Sequence, residues 1–213
     1  MFRYKTSSIL QSTSMSFNNT AFLFCDFQKD LWELFPESEA KQLLLNNVSE
    51  LYRRVVSLRE KKNILLVNVG IKLREGYPEL GPKCPNNALN WLVGIKKGML
   101  LYGNPGTEFL PEVAPVAGSI VITKLRADAF YPNDLEAILR ANQVNHLVIC
   151  GIATGGVVLS TCSTAADRDY VVTVVGDSCG DLNSELHDVL LKTEFSGRAN
   201  VITTAEALRL LAE

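Results

Sequence analysis

The sequence predicts a single α/β domain built on a parallel sheet, and three observations carry that reading. Short apolar runs rich in β-branched residues recur along the 213 residues and alternate with longer stretches of helical periodicity. The stretch from His146 to Asp181 reads as strand, glycine turn, helix, strand and acidic loop, which is a complete βαβ unit. A hydrophobic content of 47% is enough for one large core.

Taken in order, Thr20 to Cys25 (TAFLFC) is a hydrophobic strand ending at Asp26, Phe27 and Gln28. Glu37 to Glu60 carries Leu43, Leu44, Val48, Leu51, Val55 and Leu58 at helical spacing, with Lys61, Lys62 and Asn63 as a polar exit. Ile64 to Val69 (ILLVNV) is the second strand. From Gly70 to Gly118 the chain is rich in Gly and Pro, and unstructured stretches of that length are usually functional or hold short helices. Asn87 to Ile95 (NALNWLVGI) is the candidate helical turn there. The whole region reads either as a lid or oligomer contact over the sheet edge, or as a plain surface excursion.

Ser119 to Thr123 is the third strand, followed by Lys124, Pro132 and a helix from Asn133 to Ala141. His146 to Cys150 is the fourth. Gly151 ends it, and Gly155 with Gly156 opens a helix bearing Val158, Thr161, Cys162 and Ala165 on one face. Tyr170 to Val175 is the fifth strand, Leu182 to Phe195 a helix, Asn200 to Thr203 the last strand, and Thr204 to Leu211 a closing helix with Thr204 as its cap. The unbroken alternation, with no internal repeat or linker, argues for one domain over residues 20–213. Residues 1–19 are expected to be a disordered tail.

Composition excludes several classes of function. A net charge of −2 offers no basic surface for nucleic acid or anionic membrane, and no apolar run approaches the roughly 20 residues that span a bilayer. Cys25, Cys84, Cys150, Cys162 and Cys179 are odd in number, scattered in spacing and without a C-x-x-C pair, which points to a reducing compartment. The expected location is the cytoplasm. The alternative is the mitochondrion, because the first 20 residues hold Arg3 and Lys5, many Ser and Thr and no acid, with Met15 as a second possible start.

Three strand ends hold polar residues worth weighing: Asp26, Lys124 and the turn GIATGGVV. In parallel sheets that edge binds ligands, since strand ends and helix N-termini leave backbone groups free there. An Asp in this position is commonly a turn former and a Lys is commonly solvated. Together in a cleft they form a charged pair, in which the lysine keeps the acid ionised and burial makes it a usable proton donor.

In combination, AFLFCDFQKDL, GSIVITKLRADAF with DLEAILRANQVNHLVICGIAT, and VVLSTCSTAADRDYVVTVVGDSCGD resemble the isochorismatase-like hydrolase superfamily, over about residues 20–203 and in the same order. The resemblance implies a three-layer α/β/α fold with a six-stranded parallel sheet, a small-molecule substrate and a homo-oligomer. Most members cleave amides or related C–N bonds with an Asp, Lys and Cys triad, and Asp26 and Lys124 match the first two positions. The third departs. Laying the family turn G-[IVL]-A-T-x-x-C-V on Gly151, Ile152, Ala153 and Thr154 puts its cysteine at Val157, which carries no nucleophile. Cys162 is no substitute, being rotated by about 140° and raised by about 7.5 Å along a helix from that position. Cys25 and Cys150 read as core.

Isochorismatases within the superfamily also lack the cysteine. They hydrolyse a vinyl ether: an Asp protonates the terminal CH2 carbon, water captures the oxocarbenium ion, and pyruvate departs. On that pattern Asp26 is the acid and Lys124 tunes it or orients substrate. Arg126, in a KLRADAF segment that resembles K-x-R-x-x-A-F, grips a carboxylate. The same resemblance puts Phe27, Gln28 (as a hydrogen-bond donor), Phe130, Ile152, Ala153, Gly156 and Val157 against the substrate. Ile152–Ala153 also falls where the family often carries a non-prolyl cis peptide. The chain departs from isochorismatases too, having neither the histidine of their G-V-Y-A-H-I-G turn nor Gly at position 157, so it looks like a cysteine-free branch.

Nicotinamidase-like relatives bind a metal through Asp-x-His after the second strand. Here that segment is VNVGIKLREG, so neither metal nor cofactor is expected. Two alternatives to a non-covalent hydrolase stay open: a binding or regulatory protein derived from the fold, and a C–N hydrolase using Ser160 or Thr154.

Overall fold

The structure is a computed structural model and describes residues 17–213. The expected tail, the presequence and the start at Met15 fall outside the described residues up to position 16. Phe17 already belongs to the domain: it is buried, with its ring 5.1 Å from Phe22 and 5.7 Å from His146.

Six parallel strands form the sheet: β1 (Thr20–Cys25), β2 (Leu65–Ile71), β3 (Ile120–Lys124), β4 (His146–Gly151), β5 (Val171–Val175) and β6 (Asn200–Ile202). Their spatial order is β3-β2-β1-β4-β5-β6, with helices on both sides. β1 and β4 are buried at every position, as befits central strands covered on both faces. The chain leaves β1 toward one edge and β4 toward the other, so their carboxyl ends flank a topological switch point.

The helices are α1 (Lys29–Trp32), α2 (Glu39–Lys62), α3 (Asn87–Ile95), α4 (Leu135–Ala141), α5 (Leu159–Asp167), α6 (Ser184–Val189) and α7 (Thr204–Ala212). α2 starts two residues later than its pattern predicts, because Ser38 caps it by accepting the Lys41 N–H at 3.1 Å. Its cationic last turn suits the negative end of the helix dipole, and Asn63 closes it in a left-handed conformation. The cap of α7 is Thr203, not Thr204: Thr203 is extended and exchanges hydrogen bonds with Glu206, while Thr204 gives its N–H and hydroxyl to Asp177. The helix expected from Leu182 to Phe195 starts at Ser184, where Asn183 caps it, and beyond α6 it widens over Leu190–Glu194 and tightens over Phe195–Gly197.

The Gly70–Gly118 excursion contains α3 and two short 3₁₀ turns, and has its own apolar cluster of Leu73, Leu80, Leu89, Met99 and Leu100 against Ile71. It is fastened to the carboxyl end of the sheet rather than extended from it. Bridges pair Gln28 with Phe109 and Leu73 with Leu101.

At the switch point β1 and β4 come too close for a side chain at Gly151. A Cβ there would lie 2.7 Å from the Cys25 carbonyl oxygen and 2.8 Å from its Cβ, and both atoms are fixed in a central strand. Gly151→Ala is expected to cost about 2 kcal/mol, lowering the melting temperature by about 4–8 °C. A thermal scan that moves by less than 1 °C would show that the two strands can part there.

Candidate active site

Asp26 is the first residue beyond β1, and its φ of 62° takes it out of the strand alternation. Asp tolerates this left-handed conformation better than most residues. Its N–H still donates to the Val69 carbonyl at 2.8 Å, so the turn is pinned while the carboxyl swings over the sheet end. Lys124 arrives from β3, two strands away, as that strand's last residue. Its ammonium lies 2.8 Å from Asp26 Oδ2 and 3.0 Å from the Arg126 carbonyl oxygen. Both side chains are buried, and Asp26 Oδ1 has no hydrogen-bond partner. Burial raises the Asp26 carboxyl above the usual carboxylate range, against the opposing pull of Lys124.

The pair faces a cavity of about 230 Å³. One wall is the turn after β4, contributing Ile152, Ala153, Gly156 and Val157, with a cis Ile152–Ala153 peptide as the resemblance implied. Thr154–Val158 winds as a wide π-turn before α5 begins, so the glycines open a broad loop rather than the helix itself. The opposite wall is the excursion: Asn86, Ala88, Leu89, Trp91 and Leu92 of the α3 segment line the cavity, which makes α3 a cover. Leu31, Leu34 and Phe35 around α1, with Ile71, Ala127 and Leu182, complete an apolar lining.

Six of the residues singled out from the sequence meet here: Asp26, Lys124, Ile152, Ala153, Gly156 and Val157. Four do not. Phe27 is fully buried in the core. Gln28 is no substrate donor; its amide donates to the carbonyls of Ile71 (3.0 Å) and Thr107 (2.8 Å) and accepts the Ile71 N–H (2.8 Å), clamping the excursion to β1 and β2. Arg126 does not line the cavity; it donates to the Leu125 and Glu79 carbonyls, with its guanidinium 5.3 Å from the Tyr131 ring. Phe130 packs on Tyr170 beneath Arg168. The α3 and α1 residues escaped the sequence reading because their apolar patterns are those of any amphipathic segment. Asn86 carried a usable signal, since Asn before a helical run is a cap, and it does accept the Leu89 N–H at 3.0 Å.

No cysteine lines the cavity among the described residues. Burial pushes the Cys162 thiol up to about 11 and Cys179 to about 12, and holds Cys25 and Cys150 well above the ordinary thiol value. Thiols held protonated in this way are inert. Ser160 does not line the cavity, and the buried Thr154 hydroxyl is bonded to His187 Nδ1 at 2.8 Å. Among the described residues no group of three or more His, Cys, Asp or Glu is placed to hold a metal, and no helix is long and apolar enough to cross a membrane.

A switch-point cavity floored by a buried acid–lysine pair is the arrangement that the resemblance to isochorismatase-like hydrolases implies. The isochorismatase domain family matches residues 20–206, and the chain belongs to that family. It is 35% identical to the phenazine biosynthesis protein PhzD1 of Pseudomonas aeruginosa over 83% of this chain and 88% of the relative. It is also 31% identical to the maleamate amidohydrolase of Pseudomonas putida, in a match spanning only 53% of each chain, about half the relative's length. A cysteine hydrolase from Pseudomonas syringae pv. phaseolicola superposes with a TM-score of 0.75 at 19% identity, covering 91% of this chain and 92% of the other, which speaks to fold alone.

Two outcomes follow from the geometry. Lys124→Met strands the Asp26 carboxylate and is expected to cost about 3 kcal/mol at pH 8. Without the lysine the folded-state carboxyl titrates still higher than in the unfolded chain, so part of that loss should return as pH falls from 8 toward 5. Urea unfolding at both pH values reads this, and a deficit that does not change with pH would mean the acid is not the group affected. Gln28→Leu strands the Ile71 N–H and the Ile71 and Thr107 carbonyls, and should cost about 3 kcal/mol in the same assay. A loss under about 1 kcal/mol would mean the excursion is held by its apolar cluster alone.

Proposed function

We propose that this chain is a hydrolase that works by proton transfer from Asp26, without a covalent enzyme intermediate, on a vinyl ether of the isochorismate type. One observation carries the reading: the cavity holds a buried carboxyl with a free oxygen aligned beside a lysine, and no thiol. A route through a Ser, Thr or Cys nucleophile finds no such residue in the lining. A vinyl ether needs only an acid.

In this mechanism Asp26 starts protonated, a state favoured by its burial. It gives its proton to the terminal CH2 carbon of the enol ether, producing an oxocarbenium ion. Water adds to that cation and returns a proton to the Asp26 carboxylate, and the hemiketal collapses to pyruvate and a ring alcohol. Lys124 meets a neutral acid before transfer and a carboxylate after it, so its attraction strengthens toward the transition state. Two of its three ammonium protons are engaged by Asp26 and the Arg126 carbonyl, which leaves one for a substrate carboxylate. The leucines, Phe35 and Trp91 would hold the ring and keep bulk water from the acid. The name of the PhzD1 relative does not specify a reaction, and that of the maleamate relative specifies an amide. The absence of a thiol from the lining favours the ether.

The test is pyruvate release from isochorismate, coupled to lactate dehydrogenase. The wild type should turn over, with a rate that falls as pH rises past the elevated pKa of Asp26. Asp26→Asn, which keeps the shape and loses the acid, should be at least about 100-fold slower. Equal rates for the two proteins would remove Asp26 from the chemistry. No release from either would retire isochorismate and shift weight to another substrate or to the binding-protein reading.

A further inference from the structure

We propose that His187 is a positioning residue for the turn lining the cavity, and that protonation of its ring releases that turn. The histidine lies on α6, outside the cavity, and reaches the turn through Thr154, whose hydroxyl is 2.8 Å from Nδ1. Thr154 sits between the Ile152–Ala153 peptide and the cavity-lining Gly156 and Val157. Its side chain is fully buried, and among the described residues its hydroxyl has no other partner.

Those two facts assign the tautomer. A buried hydroxyl hydrogen needs an acceptor, and Nδ1 is the one within reach, so Thr154 donates and the neutral ring carries its proton on Nε2. His187 borders two open clefts. When the ring gains a second proton Nδ1 becomes a donor, and the threonine hydrogen loses its acceptor inside the protein. The Thr154 arm of the turn must then rearrange.

A second brace comes from the same loop: Asp181 Oδ2 accepts the Gly155 N–H at 2.7 Å, and the Gly180 carbonyl accepts the Thr154 N–H at 2.8 Å. These contacts keep the turn folded while the histidine is charged, so the expected change is an adjustment and not unfolding. The charged groups facing the ring are Lys41 on α2, Asp177 and Asp181 after β5, Asp188 and Lys192 on and beyond α6, and Glu206 on α7. Each is engaged elsewhere: Lys41 with Glu37, Asp177 with Thr204, Asp188 with Lys192, Glu206 with Thr203. Asp181 and Asp188 favour the charged ring, but burial outweighs them and holds its pKa below the ordinary histidine value. The brace is therefore intact at neutral pH and lost as pH falls through the lowered pKa.

The direct test is an NMR titration of the full chain with labelled histidine and backbone amides. The His187 ring should show the Nε2–H tautomer and a midpoint below about 6.5. The amides of Thr154, Gly155, Gly156 and Val157 should shift with that same midpoint. His187→Asn supplies a side-chain oxygen near the Nδ1 position that accepts but does not titrate. It should keep the neutral-pH turn spectrum and abolish the acid shift. Turn amides that ignore the ring's protonation, or that titrate unchanged in His187→Asn, would overturn the proposal. A kinetic consequence rests on the vinyl-ether reading: kcat/KM should gain an acid limb at the His187 midpoint that His187→Asn lacks. A protein with no turnover would fail that reading while the NMR result still decides this one.

Discussion

A carboxyl group and an ammonium group buried 2.8 Å apart are tolerable only as a pair, and much of the carboxyl edge of this sheet is arranged around keeping them so. Asp26 comes from β1 and Lys124 from β3, with β2 between them. The parallel register that pairs Cys25 with Val69 and Ile71 with Lys124 brings these chain positions, almost a hundred residues apart, to one spot. The left-handed turn at Asp26 and the carbonyl of Arg126 complete the setting.

The pair is also left incomplete, and that is where function enters. Asp26 Oδ1 is buried without a hydrogen-bond partner in a residue that lines the cavity, a costly arrangement that marks the site as a candidate for chemistry. Apolar walls raise the energy of its charged form, and the lysine lowers it again. Burial prevails, and the carboxyl stays above its ordinary range. Burial in the core likewise keeps the Cys25 and Cys150 thiols protonated.

Around this centre the fold divides its labour between rigid and applied parts. The β4 turn is held from behind by His187, Asp181 and Gly180, while the Gly70–Gly118 excursion is held in front by Gln28 and by Asp30, which accepts the Leu100 N–H at 2.8 Å. α3 is thereby laid over the cavity, with Trp91 and Leu182 still partly exposed at its rim. The excursion is a cover with its own small core, which is why a stretch so rich in Gly and Pro remains ordered.

Local chemistry made the strands, the long helix, the α3 turn and the acid and lysine at strand ends legible from the residues. β-branched apolar runs, helical spacing and caps are short-range signals that survive without a fold. The positions Ile152, Ala153, Gly156 and Val157 were legible for a different reason, through resemblance of the turn that carries them. What only the tertiary structure decided is where side chains point and what else fills their neighbourhood. Gln28 and Arg126 have the donors to bind a substrate, yet both spend them on backbone carbonyls of distant loops. Phe130 has the size to line a pocket and instead packs beneath Arg168. His187 gains its Thr154 partner only because α6 folds against the β4 turn. Sequence fixes a residue's chemistry and its place in an element, but its partner is chosen by strand order and loop closure, which depend on contacts the local pattern does not contain.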